Sequence, residues 1–136
     1  MSFLGIEYTF DREENFEEFV KSLDLTPEQS QGYLNYRPDQ KLEQDGDEYT
    51  LTTTTPLTKK VLSFKSGVPF EEKAADRVGE TTFTLEGNTL TQLQKFSDGN
   101  WVNTVRVFSD SELAITITSS KYKGSGTVRR FYKVKA

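Results

Sequence analysis

Turn signals at regular intervals constrain this chain more than any other feature of it. Asp45-Gly46, Ser66-Gly67 and Glu86-Gly87-Asn88 come first, and Asp98-Gly99-Asn100 and the Lys123-Gly124-Ser125-Gly126 tip follow. Each is a glycine-bearing step of the kind that joins antiparallel strands. The first three lie about 20 residues apart, room for an outgoing and a returning strand of about 9 residues each. Within the first interval Tyr49, Leu51, Thr53 and Thr55 alternate with Thr50, Thr52 and Thr54, a β-branched run suited to strand and not to helix. With a first strand over Gly5–Thr9, the pattern predicts roughly ten antiparallel strands in a meander. Such a sheet either stacks as a sandwich or closes on itself, and closure removes its exposed edges.

Before Asp39 the pattern has a different period. Phe16, Phe19, Val20 and Leu23 stand at i, i+3, i+4 and i+7, one apolar stripe of a helix. Glu13, Glu14, Glu17 and Glu18 then fall near its N-terminal end, where the helix dipole favours carboxylates. A second start follows at Thr26-Pro27-Glu28-Gln29, with a capping Thr, Pro at the first helical position and Gln at the third. Gly32 and Pro38 keep this second helix short. The reading is one domain over residues 1–136 with a helix-turn-helix over about 14–36, either a gate or a plain cover for a core.

Composition removes whole classes of chemistry. The chain contains no Cys, which excludes disulfide scaffolds, thiol nucleophiles and thiolate metal sites. It contains no His, which excludes Ser-His triads and the usual zinc ligands. No cofactor is expected. The net charge of -4 argues against a nucleic-acid partner, whose affinity rests on basic clusters. Hydrophobic residues make up only 34%, although 10 Phe and 6 Tyr rule out disorder. That is lean for a densely filled core and suits a hollow one. Met1-Ser2-Phe3-Leu4-Gly5 has neither the basic start of a signal peptide nor the Gly that myristoylation needs directly after Met. A cytoplasmic monomer is the expectation.

Several local motifs stand out: Phe3-Leu4-Gly5-x-x-Tyr8, Glu14-Asn15-Phe16-Glu17-Glu18-Phe19, and Ser63-Phe64-Lys65-x-Gly67-Val68-x-Phe70-Glu71-Glu72. Thr84-Leu85-Glu86-Gly87-Asn88-x-Leu90 and Val105-Arg106 follow, then Leu113-x-Ile115-Thr116-Ile117-Thr118 and Arg130-Phe131-Tyr132-Lys133. Together they resemble one family, the intracellular fatty-acid-binding proteins. The resemblance implies an all-β fold, a ten-stranded antiparallel up-and-down β-barrel (clam) capped by the helix pair. It implies non-enzymatic binding and intracellular transport of a long-chain fatty acid, with Arg106, Arg130 and Tyr132 on the ligand carboxylate. A carrier of retinoic acid or another terpenoid acid would share this trio. Leu57 and Ala75 are implied to stand on turns beside the lid, and Asp76 and Gln94 match polar family positions. Gln40 departs from the pattern, standing where many members carry Thr.

Strand parity bears on the same residues without the resemblance. Alternate residues share a face. If Tyr132 points inward so does Arg130, and Arg129 and Phe131 point out; Arg106 goes with Thr104 and Phe108. An inward arginine is often one half of a buried ion pair. Two of them beside a tyrosine fit a carboxylate, which guanidinium forks bind with charge-assisted bonds. Phe16, Val20, Leu23, Leu57, Ile115 and Ile117 are candidates to touch the apolar chain, or to be plain core. Of the basic residues near the lid only Lys21, Lys59 and Lys60 are placed to meet a membrane, so membrane contact is expected to be transient and weak. Two other classes remain: an enzyme using Asp110 with Glu112, whose surroundings read more simply as a hairpin tip, and a protein-interaction module with a filled barrel.

Overall fold

The computed structural model describes residues 3–74, 77–122, 124 and 126–135. A first strand, β1 (Glu7–Glu14), leads into two helices, α1 (Phe16–Lys21) and α2 (Pro27–Asn35). Nine strands follow: β2 (Asp39–Asp45), β3 (Glu48–Thr54), β4 (Lys59–Lys65), β5 (Phe70–Ala74), β6 (Arg77–Glu86), β7 (Thr89–Phe96), β8 (Trp101–Phe108), β9 (Glu112–Ser119) and β10 (Val128–Val134). All ladders are antiparallel, in the order β4-β3-β2-β1-β10-β9-β8-β7-β6-β5, so β1 pairs the last strand and curls the meander round. The sheet does not close by backbone pairing, since β4 and β5 are its two ends. The seam between them is bridged by other means. Gly67 donates its backbone N–H to the Phe83 carbonyl at 2.7 Å, and Leu85 donates to the Ser66 hydroxyl at 2.9 Å. Phe64 stacks on Phe83 with ring centroids 4.2 Å apart, and Phe70 adds to the stack at 6.1 Å.

The turn chemistry explains why this meander forms. The β2–β3 and β6–β7 turns need a left-handed residue, and Gly46 (φ 66°) and Gly87 (φ 62°) supply it without a Cβ clash. Two hairpins use a hydroxyl instead. Thr55 Oγ1 accepts from the Thr58 N–H at 3.0 Å, and Ser109 Oγ accepts from the Glu112 N–H at 2.9 Å.

The N-terminal segment differs from its sequence reading. The first strand runs to Glu14, beyond the expected Thr9, so Glu13 and Glu14 belong to β1 and α1 begins at Phe16. The physical reason is the pairing of β1 with β10, which gives these residues a ladder to join. Tyr8, Thr9 and Phe10 face Val134, Lys133 and Tyr132, whereas Arg12, Glu13 and Glu14 face Phe131, Arg130 and Arg129. One extra residue, Asp11, therefore bulges from β1 and reverses the parity beyond it.

The apolar stripe of α1 packs as its spacing requires: Phe16, Phe19, Val20 and Leu23 are all buried. Asn15 caps it in left-handed geometry (φ 58°) and donates Nδ2 to the Thr127 carbonyl at 2.8 Å. The capping box of α2 is complete, with Gln29 N–H donating to Thr26 Oγ1 at 3.2 Å and Thr26 N–H donating to Gln29 Oε1 at 3.1 Å. None of its residues is buried, so α2 lies over the barrel as a loosely held cover.

Candidate ligand-binding site

Inward-facing residues change character along the strands. Tyr8, Leu42, Phe64, Phe83, Leu90, Phe108 and Leu113 are buried together at one end of the barrel. One pleat further along the same strands stand Gln40, Leu62, Gln92, Arg106, Ile115 and Arg130, and these line a cavity of about 300 Å³ beneath the helices. Phe16, Leu23 and Leu25 form its roof, with Tyr33, Tyr36 and Pro38 beside them.

Arg106 donates Nε to Gln40 Oε1 at 3.1 Å and Nη1 to Gln92 Oε1 at 2.8 Å. Both partners are neutral amides, so they take two of its hydrogen bonds and leave its charge without a counter-charge in direct contact. Protein surrounds the guanidinium, and the surface it keeps is turned to the cavity. Burial pulls its pKa down to about 10, against the favourable fields of Tyr132, Glu72 and Tyr36.

Arg130 sits differently. It faces Glu13 across the β1–β10 ladder and donates Nε to Glu13 Oε1 at 3.1 Å. Its Nη1 donates to the Tyr36 carbonyl at 2.8 Å, and its guanidinium lies 4.2 Å from the Phe16 ring centroid. Its Nη2, however, is buried with no hydrogen-bond partner, and so is the Tyr132 hydroxyl. Burial raises the pKa of Tyr132 above the ordinary tyrosine value, against the pull of Arg130, of the nearby Gln40 amide and of Arg106. The hydroxyl thus stays a neutral donor. Two buried orphan donors on alternate residues of one strand, which share a face, are costly unless an acceptor arrives. Both belong to residues of the cavity wall.

Glu72 supplies a second polar patch of the wall. It accepts from Thr81 Oγ1 at 2.7 Å, from Gln94 Nε2 at 3.2 Å and from Lys60 Nζ at 3.3 Å.

Of the residues singled out from sequence, Arg106, Arg130, Tyr132, Phe16, Leu23, Gln94, Ile115 and Ile117 line the cavity together. Arg129 is exposed, as the parity argument requires. Val20 is buried in the packed core and does not line the cavity. Leu57 stands at the tip of the β3–β4 turn, 93% exposed and away from the cavity wall. Ala75 and Asp76 lie outside the described residues. Asp110 and Glu112 sit on the β8–β9 hairpin tip that Ser109 ties together. Glu13, Gln40, Glu72 and Gln92 were not singled out as site residues. Parity with Phe70 places Glu72 inward, and parity with Leu90 places Gln92 inward, so both carried a readable signal. Glu13 carried none, because parity counted from Tyr8 points it outward unless the bulge is known.

No family model matches. Fatty acid-binding protein 1 of Manduca sexta is 39% identical over 134 residues, 98% of this chain and 99% of that protein. The chain belongs to the fatty-acid-binding protein family. The solved structure of the fatty-acid-binding protein isolated from Manduca sexta superposes with a TM-score of 0.87 at 35% identity, covering 98% of this chain and 100% of that one. A Schistosoma mansoni fatty acid binding protein, solved in complex with arachidonic acid, gives a TM-score of 0.83 at 26% identity over 98% and 96% of the two chains. Within the fatty-acid-binding protein fold, this chain is a clam of ten strands and two short helices whose hollow end carries the arginines.

Proposed function

We propose that this protein binds a long-chain fatty acid without catalysis and carries it through the cytoplasm as a monomer. The acyl chain lies in the cavity under α1, and the carboxylate meets Arg106, Arg130 and Tyr132. One observation carries this reading: the Arg130 Nη2 and Tyr132 hydroxyl donors are buried without an acceptor in the wall of a cavity roofed by apolar side chains. A carboxylate supplies acceptors for both and a counter-charge for Arg106, whose own partners are neutral. An alcohol would supply neither charge nor a second oxygen, and the penalty on the wrong headgroup gives specificity. The chain adds about 0.8 kcal/mol per buried methylene, less the cost of ordering it.

The test is displacement of a fluorescent apolar anion from delipidated protein by oleate and oleyl alcohol in parallel. Oleate is expected to compete at about micromolar concentration or below, at least tenfold better than the alcohol. Equal potency would sink the headgroup assignment, and no displacement by either would remove the carrier reading.

Delivery is expected to run mainly through water. Of the three lysines beside the lid, Lys21 is paired with Glu17 at 3.3 Å and Lys60 with Glu72 at 3.3 Å, so only part of their positive charge is offered to an anionic surface. Rates of transfer to vesicles are expected to be independent of vesicle concentration; a rise with anionic lipid would contradict this.

A further inference from the structure

The β-bulge at Asp11 has a chemical consequence. Without it, Glu13 would share the outward face of β1; with it, Glu13 turns to the same face as Arg130 and bonds its Nε. Bulges of this kind re-aim a side chain next to a site. The result is a buried guanidinium with a resident carboxylate on one edge and an orphan donor on the other.

We propose that Glu13 sets the charge that the headgroup site accepts. By neutralising Arg130 it leaves Arg106 as the buried cation of the site without a carboxylate partner among the described residues, so the site takes a headgroup bearing one negative charge. Arg130 then serves the ligand through its Nη2 as a directional donor. This inference rests on the fatty-acid reading above and specifies its headgroup class.

The charges around the site support the count. Among the described residues Arg130 pairs with Glu13 at 3.1 Å and Lys60 with Glu72 at 3.3 Å, which leaves Arg106, held by two neutral amides, as the cation without a paired carboxylate. Arg37 also approaches Glu13, at 3.6 Å, but like Lys60 it is half exposed, and solvent screens it. A monoanion entering this cavity meets one unbalanced charge and two orphan donors. A dianion loses the hydration of two charges and recovers a counter-charge for only one of them, which in a poorly solvated interior is a heavy penalty.

Hexadecyl sulfate and hexadecyl phosphate separate charge from shape, since both join the same chain to a tetrahedral headgroup. At about pH 8.5 the sulfate is a monoanion, while the phosphate, above its second ionisation near 6, is a dianion. Probe displacement is measured for both amphiphiles and for palmitate, with the wild type and Glu13→Gln. The wild type is expected to bind the sulfate at least about tenfold tighter than the phosphate, and the variant to reduce that ratio to about threefold or less. A purely structural role for Glu13 would weaken both amphiphiles together and leave the ratio unchanged, which would overturn the proposal. Should the variant fail to fold, the wild type decides alone. Between about pH 5.5 and 8.5 its affinity for the phosphate is expected to fall several-fold while that for the sulfate holds, and parallel behaviour would overturn the proposal. Palmitate that binds while the sulfate and phosphate are equal strikes only the role of Glu13; failure of all three to displace the probe strikes the carrier reading and this inference with it.

Discussion

The two ends of the barrel are built from the same strands, a pleat or two apart, and obey opposite rules. At the filled end Phe64, Phe83 and Phe70 stack, Phe108 packs between Phe3 and Tyr8, and the one polar tip there, the Tyr8 hydroxyl, donates to the Ser109 carbonyl at 2.6 Å. Among the described residues, no buried side-chain donor or acceptor at this end lacks a partner. At the hollow end an uncompensated guanidinium, two orphan donors and open space coexist. The filled end holds the sheet in register, so the hollow end need not contribute to stability. Stability and binding are therefore carried by different residues of one sheet, and single substitutions should separate them.

The largest effect belongs to the filled end. Phe83→Ala removes the ring that stacks on Phe64 and Phe70 across the β4/β5 seam, and is expected to cost roughly 3–5 kcal/mol in urea unfolding. Its preference for oleate over oleyl alcohol should survive at temperatures where it is folded. Loss of that preference would mean that the two ends are not separable.

Arg106→Gln is expected to do the reverse. It keeps an amide for Gln40 and Gln92 but removes the charge, so oleate affinity should fall by about 2–4 kcal/mol. The unliganded variant should be more stable by up to roughly 3 kcal/mol, since a pKa near 10 means that burial penalises the charged form. The folded pKa lies below that of the unfolded chain, so between the two the unfolded state holds the extra proton. The penalty is full below about pH 10 and shrinks as pH rises through it. The stability gap between variant and wild type should accordingly narrow above pH 10, and wild-type oleate affinity should weaken there. A variant less stable than the wild type at pH 7 would show that the amide contacts outweigh the charge.

Thr26→Ala is the mildest change, aimed at the cover and not at either end. It breaks the capping box of α2 and is expected to cost about 1 kcal/mol locally. Because α2 buries no residue, amide exchange over Pro27–Asn35 should quicken while the strands stay protected. Equal quickening in β7 or β8 would show that the cover is coupled to the barrel.

Much of this organisation was written in local chemistry. Glycines at 46, 67, 87 and 99 mark turns in which each adopts positive φ, and the Thr26–Gln29 box forms as spelled. Parity within single strands was equally readable and separates buried Arg130 from exposed Arg129. What escaped depends on pairing between distant segments. The strand character of Glu13 and Glu14 comes from β10, more than a hundred residues away, and overrides a helical start signal. The bulge at Asp11 has no glycine to announce it, so the inward turn of Glu13 could not be read locally. Gln40 and Gln92 share the inward parity of Leu42 and Leu90, but only their hydrogen bonds to Arg106 give them a role.

The most direct test of the central claim is a crystal structure of the delipidated protein reloaded with oleate. The expected result places the carboxylate oxygens within hydrogen-bond distance, about 2.7–3.2 Å, of Arg130 Nη2 and the Tyr132 hydroxyl, with Arg106 beside them and the chain running toward Phe16. A carboxylate found instead at the barrel mouth, with the chain tail against Arg106 and both donors still without an acceptor, would contradict it.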